Sequence, residues 1–268
     1  MPARVAIVGQ GRMGRGLALA LGASGVTVGL LGRQRRPEAL HDADLVLIAT
    51  PDDAIASVAA ELARENAIVE AQVVLHLSGL LDRTALHPLA STAAGLGSFH
   101  PLQSVADPVT AAERLRGAYA ALEGDERAVA AGEDLAAVLG MHGLRLAPGT
   151  KPAYHAGAVI TSNYVVVLAA LAEQLAREAG VPPADAVRLY LPLMQGTVAN
   201  LSLGPAAALT GPIRRGDVAT VRRHLAVLDP GQRLVYRTLG LAAVPLAREA
   251  GLAEAAAAAV EAALLEPD

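Results

Sequence analysis

Apolar positions keep two different rhythms along this chain. Up to about residue 147, short β-rich apolar runs alternate with longer stretches of helical periodicity. The runs fall at residues 4–8, 27–31, 45–49, 73–77, 97–100, 118–123 and 143–146, with helical patterns at 13–24, 54–66 and 125–139. Such alternation predicts a mostly parallel sheet covered on both faces. The breaker Ala147-Pro148-Gly149-Thr150 ends it, and beyond it the pattern is helical almost throughout. The expected fold is α/β: a doubly wound domain over residues 1–149, then an all-α domain over residues 150–268.

Composition narrows the function. An apolar fraction of 53% with 18% charged residues supplies a core and argues against disorder. Net charge is −4 and no block of five like charges occurs, so neither nucleic acid nor an anionic membrane is an expected partner. Aromatic residues make up 2%, too few for a stacking platform on single strands. The chain has no cysteine, which removes disulfide scaffolds, thiolate metal sites and cysteine nucleophiles from consideration. The longer apolar stretches meet a charge before about 18 residues, and Met1-Pro2-Ala3-Arg4 runs into a strand without a signal-like apolar region. A cytoplasmic protein is the expectation.

The clearest chemistry lies near the start. Gly9-Gln10-Gly11-Arg12-Met13-Gly14 is a complete G-x-G-x-x-G that follows the apolar run Val5-Ala6-Ile7-Val8 and opens a helical pattern. The first glycine permits a tight turn, the second lets backbone approach a pyrophosphate, and the third permits close helix–strand packing. About 20 residues further on, an NAD-binding domain would place a carboxylate on the ribose 2′-hydroxyl. Here the window holds Arg33, Arg35 and Arg36, with no carboxylate before Glu38. Guanidinium groups match a 2′-phosphate in charge and geometry, so the expected cofactor is NADP(H), with Arg33 and Arg36 on the phosphate.

These residues carry a family resemblance. The segment from Ala43 to Asp52 resembles the fourth strand and following turn of the 6-phosphogluconate dehydrogenase-like superfamily, which includes pyrroline-5-carboxylate reductase, ketopantoate reductase and prephenate dehydrogenase. That resemblance implies that Thr50 and Pro51 border the cofactor. Further segments are similar to an uncharacterised bacterial family of Rossmann-like, NADP-dependent oxidoreductase candidates with a helical C-terminal domain. They are His76-Leu77-Ser78-Gly79, Gly97 to Ser104, Lys151 to Ala156, Ser162-Asn163-Tyr164 and Thr210 to Asp217. The resemblance covers nearly the whole chain and implies a Rossmann domain, a helical partner domain and hydride chemistry, without a substrate.

Candidate catalytic residues follow from position. Ligands of doubly wound sheets sit beyond the carboxyl ends of the strands. Ser78 and His100 end such runs and are expected at the nicotinamide pocket, and His100-Pro101 is similar to the pair that carries the substrate-contacting histidine of prephenate dehydrogenase. Lys151 is the single lysine among 22 basic residues, opening a helix with Thr150 as expected N-cap. Unlike arginine, lysine can lose its proton, so Lys151 is the expected proton donor. On a wheel of about 100° per residue, Lys151, His155 and Asn163 share one broad face, with Asn163 expected to be a buried amide. The superfamily's commoner Lys-x-x-x-Asn reads Lys-x-x-x-His here. Asp217 is the expected cap of the next helix, Arg214 or Arg215 a contact for an anionic substrate or an interhelical latch, and His224 structural.

The resulting expectation is an NADP(H)-dependent dehydrogenase or reductase acting on a small carbonyl, imine or hydroxy compound that bears a carboxylate. The alternatives are ketopantoate reductase-like or prephenate dehydrogenase-like chemistry, or a non-catalytic NADP(H)-binding sensor. The C-terminal helices are too apolar for one small layer to cover, so a homodimer through them is expected.

Overall fold

The computed structural model describes residues 2–32 and 38–267. Within them the chain forms two compact units that divide between residues 164 and 165. The unit boundary therefore follows the first helix after the breaker, where the sequence pattern had suggested a division at residue 149. The reason is local: that helix is fastened to the sheet by its first residue, Lys151, as described below.

All seven expected strands are present: β1 Arg4–Val8, β2 Thr27–Leu31, β3 Leu45–Ile48, β4 Val73–His76, β5 Gly95–Pro101, β6 Tyr119–Gly124 and β7 His142–Arg145. The segment that resembles a fourth strand is thus the third in this chain. Strand order is β2-β1-β3-β4-β5-β6-β7, with only β5–β6 antiparallel. β3, β4 and the middle of β1 are buried on both faces, the condition under which strands read as continuous apolar runs.

The covering helices are α1 Arg12–Ala23, α2 Glu38–His41, α3 Asp52–Arg64, α4 Ala111–Leu115 and α5 Glu126–Val138. One apolar cluster joins Ile7, Leu47, Leu75 and Phe99 to Leu17 and Leu135, and a second joins Val46, Ile48 and Val74 to Ile55, Leu62, Leu86 and Leu89. Strand alternation sends neighbouring residues to these opposite layers. Residues 83–92 form a 3₁₀ helix that the sequence pattern did not reveal, because Pro88 and the run of small residues hide its period.

Beyond β7 the chain is helical: α6 Lys151–Thr161, α7 Asn163–Glu178, α8 Pro183–Asn200, α9 Pro205–Ala208, α10 Gly211–Arg214, α11 Val218–Val227, α12 Pro230–Glu249 and α13 Glu254–Leu265. The second unit's core is Val221, Leu225, Val244, Val260, Ala263 and Leu264 on α11, α12 and α13. Asp217 caps α11 by accepting from the Thr220 amide. Arg214 is a latch: it donates to the Ala250 carbonyl at the end of α12, where a cation complements the helix dipole. His224 meets the Tyr236 hydroxyl at 2.9 Å, bridging α11 and α12. Among the described residues one helical run, 151–178, is long and apolar enough to cross a membrane, which corrects the expectation that a charge interrupts each long apolar stretch, since residues 152–172 carry none. It is interrupted at Ser162 (φ −118°, ψ −68°), which separates α6 from α7.

Candidate functional site

The sheet order makes a switch point at β1, since the chain leaves it for β2 on one side and returns to β3 on the other. A crevice opens at the carboxyl ends of strands at such a point. It holds a cavity of about 550 Å³ lined by Val8 to Gly11, Gly32, Ala49 to Pro51, Ala54 and Glu61. The three motif glycines divide their roles. At Gly9 (φ +127°) a side chain would stand 2.4 Å from the Ala49 carbonyl oxygen, and at Gly14 one would stand 2.2 Å from the Gly9 carbonyl oxygen. At Gly11 nothing lies within 4 Å, so its missing side chain leaves space in the cleft rather than room for the protein.

Two further observations fit a bound pyrophosphate. Gly11 is the N-cap of α1 with no side chain satisfying the first-turn amides, which leaves donors and a positive helix end facing the crevice. The Thr50 hydroxyl is buried without a hydrogen-bond partner among the described residues, a cost of about 1–3 kcal/mol that a ligand oxygen would relieve. Gln10 is exposed, its carbonyl held by Arg15 at 2.7 Å; Arg12 is exposed at the helix start, and Met13 packs on the core. Pro51 begins α3 as its N-cap. Arg33 and Arg36, the expected 2′-phosphate contacts, lie outside the described residues.

Next along the sheet edge, β4 and β5 carry the remaining candidates. His76 is fully buried and neutral; burial lowers its pKa to about 4. Its Nδ1 accepts from the Ser78 amide at 3.2 Å, and Nε2–H donates to the Asp82 carbonyl at 2.9 Å. Sequence reasoning passed over this histidine, whose only signal was a polar residue ending an apolar strand. The Ser78 hydroxyl donates to Asp52 at 2.8 Å and accepts from the amides of Leu80 and Leu81. It is committed to holding its turn, which corrects the expectation of Ser78 as a catalytic residue at the nicotinamide pocket.

Lys151 is also corrected. Its side chain is 1% exposed, and Nζ donates to the Ser78 carbonyl and to Ser98 Oγ, both at 2.7 Å. The ammonium sits under the turn instead of facing a substrate. Burial lowers its pKa from 10.5 to about 8, opposed by the charges of Glu123, Asp82 and Asp52. Thr150 is the N-cap residue of α6 as expected, but its side chain makes no capping bond; the hydroxyl donates to the Ala147 carbonyl.

A simple length match sets this geometry. Ser98 and His100 share one face of β5, about 6.6 Å apart along the strand, while Lys151 and His155 are one helical turn apart, about 6 Å. Lys151 therefore meets Ser98 while Tyr154 and His155 meet His100. His100 Nδ1 is 2.9 Å from the Tyr154 hydroxyl, and the rings of His100 and His155 are 5.9 Å apart, edge to face. Tyr154 is the second residue that sequence reasoning missed. A cavity of about 460 Å³ opens beside these rings, lined by Gln103, Ser104, Val159, Ser162 and Asn163 among others. Asn163 is exposed rather than buried, because the break at Ser162 ends α6 just before it. None of the described residues lining this cavity is Arg, Lys, Asp or Glu.

Residues 31–101 match the model of a Rossmann-like domain, and residues 118–243 match a domain of unknown function, DUF2520. Among solved structures, the chain is similar to a candidate NADP oxidoreductase from Bacteroides fragilis, at 20% identity and TM-score 0.72 over 90% of this chain and 97% of that one. It is similar to a protein from Thermotoga maritima at 23% identity and TM-score 0.70, covering 91% and 98%. A third is pyrroline carboxylate reductase from Plasmodium falciparum with NADP bound, at 13% identity and TM-score 0.61, covering 97% and 98%. At these identities the likeness is one of fold. No curated protein matches this sequence.

Proposed function

We propose that this protein is an NADP(H)-dependent oxidoreductase acting on a small molecule. The observation that carries the reading is the cradle at the switch point, where Gly11 keeps the cleft open and the buried Thr50 hydroxyl has no protein partner. The arginines at 33, 35 and 36 favour the 2′-phosphorylated cofactor by charge. The similar structures named for NADP support the same choice. Bound there, NADP(H) would supply hydride at its nicotinamide.

The protein's own contribution is positioning. Gly9 to Gly14 and the start of α1 hold phosphate, Thr50 offers its hydroxyl, and the Ser78–Gly79 turn is fixed from below by Lys151 and His76. His100, His155 and Asn163 face the neighbouring cavity, which suits a polar, hydrogen-bonding substrate. Incubating the protein with NADPH and a panel of keto acids, aldehydes and cyclic imines tests the enzyme reading. Substrate-dependent loss of the 340 nm absorbance supports it. Tight NADPH binding without turnover on any of them would favour a sensor.

We also propose a homodimer through the C-terminal helices. The support is a set of apolar side chains presented to solvent on α7 and α8: Tyr164, Val166, Val167, Leu189, Leu193 and Val198.

A further inference from the structure

His100, which borders the second cavity, is held by a side chain that the sequence did not single out, Tyr154. Nδ1 lies 2.9 Å from the Tyr154 hydroxyl. The ring passes close to Gly79, where an added side chain would be 2.9 Å from both Cε1 and Nε2 and 2.5 Å from the His155 ring. Only a glycine lets the turn come this close, and the ring also borders the cavity shared with His155, Gln103 and Asn163.

The groups facing His100 are Tyr154, His155 and Lys151 from α6, Asp52 from α3 and the backbone of Gly79. Burial, then the Lys151 and His155 charges, lowers the imidazole's pKa to about 4 against the opposing pull of Asp52. The ring is therefore neutral at physiological pH and carries a single N–H. Burial raises the Tyr154 phenol to about 12, so it keeps its proton. Among the described residues its hydroxyl bonds to His100 Nδ1. A phenol is a better donor than acceptor, so the hydroxyl donates and Nδ1 accepts.

We propose that Tyr154 is a positioning residue that holds His100 as a neutral Nε2–H donor, making the site selective for a substrate oxygen with a free lone pair. The inference rests on the cleft being a substrate site. A carbonyl or hydroxyl oxygen accepts from Nε2–H. A protonated imine has no lone pair to offer and meets a donor head-on. Within the substrates considered above, carbonyl and hydroxy compounds fit and iminium compounds do not.

The test is nitrogen NMR of the full-length protein labelled with ¹⁵N-histidine, the His100 signals being assigned with the His100→Gln variant. The expected spectrum shows a pyridine-type Nδ1 and a pyrrole-type Nε2, unchanged between about pH 5.5 and 8.5. In Tyr154→Phe, loss of the donor should bring both tautomers into exchange and move protonation of the ring to higher pH, because the neutral form has lost its hydrogen bond. An Nδ1-protonated ring in the wild type, or a ring that titrates near pH 6.5, overturns the proposal. So does a folded Tyr154→Phe variant whose His100 signals match the wild type. Should that variant fail to fold, the wild-type spectrum still decides. NADPH titration of the same samples separates the two questions, since failure to bind cofactor would refute the oxidoreductase reading and leave the tautomer result standing.

Discussion

Three polar side chains of the first unit, His76 and Lys151 buried and His100 half-buried, carry opposite burdens. His76 and His100 are neutral when folded, with pKa values of about 4 against 6.5 outside the protein. Between those values the unfolded chain binds more protons, so stability is full above about pH 6.5 and is lost as pH falls toward 4. Thermal melts across that range should show a steep acid-side drop, and His76→Gln should flatten it. A pH-independent melting temperature would contradict the assignment of both rings as neutral. Lys151 works the other way around neutrality: its folded pKa of about 8 lies below 10.5. Its burial is therefore a penalty at pH 7 that is relieved as pH rises from 8 toward 10.5. The Ser78 and Ser98 hydrogen bonds offset it. Lys151→Arg forces a larger planar group into a closed slot and should cost about 1–3 kcal/mol of stability. Its NADPH affinity should stay within about threefold of wild type. Calorimetry and a binding titration on one preparation would check both. The solitary lysine was legible as special, but its role was not. Sequence shows a lysine at position 151 where every other Lys-or-Arg position is arginine, whereas only the fold shows Nζ turned inward beneath Ser78.

At the scale of elements, the glycine motif offers a clean separation of fold from ligand. Gly11→Ala meets no protein atom, so its melting temperature should stay near wild type while NADPH affinity falls about tenfold or more. Gly14→Ala drives a side chain into the Gly9 carbonyl and should lower stability first. Equal affinity loss in both, with no difference in melting, would remove the cradle argument. The strand–turn–helix was fully legible because glycine spacing, an apolar run and a helix start agree at one place. The site on β5 and α6 was legible only in part. His100 and His155 were chosen by position, but Tyr154 was missed because an i, i+3 neighbour on the helix has no signal until its partner strand is known. Asn163 was misjudged because the wheel assumed one unbroken helix, and the break at Ser162 carries no proline or glycine to announce it.

For the whole molecule, a mostly parallel sheet followed by a helical region matches the expected fold class, and the helix of Lys151 belongs to the first compact unit. The exposed apolar residues of α7 and α8 predict a dimer by light scattering at micromolar concentration, and Val166→Glu with Leu193→Glu should give a soluble monomer. A monomeric wild type would refute the homodimer. Recovery of the wild type only with detergent or lipid would point instead to a membrane surface. The account depends most on the cofactor, and the measurement that tests it is a pair of calorimetric titrations of the wild-type protein with NADPH and NADH. The account predicts saturable NADPH binding at least about tenfold tighter than NADH, a difference of about 1.4 kcal/mol. Equal affinities would contradict the phosphate assignment, and no binding of either nucleotide would contradict the reading of the cleft itself.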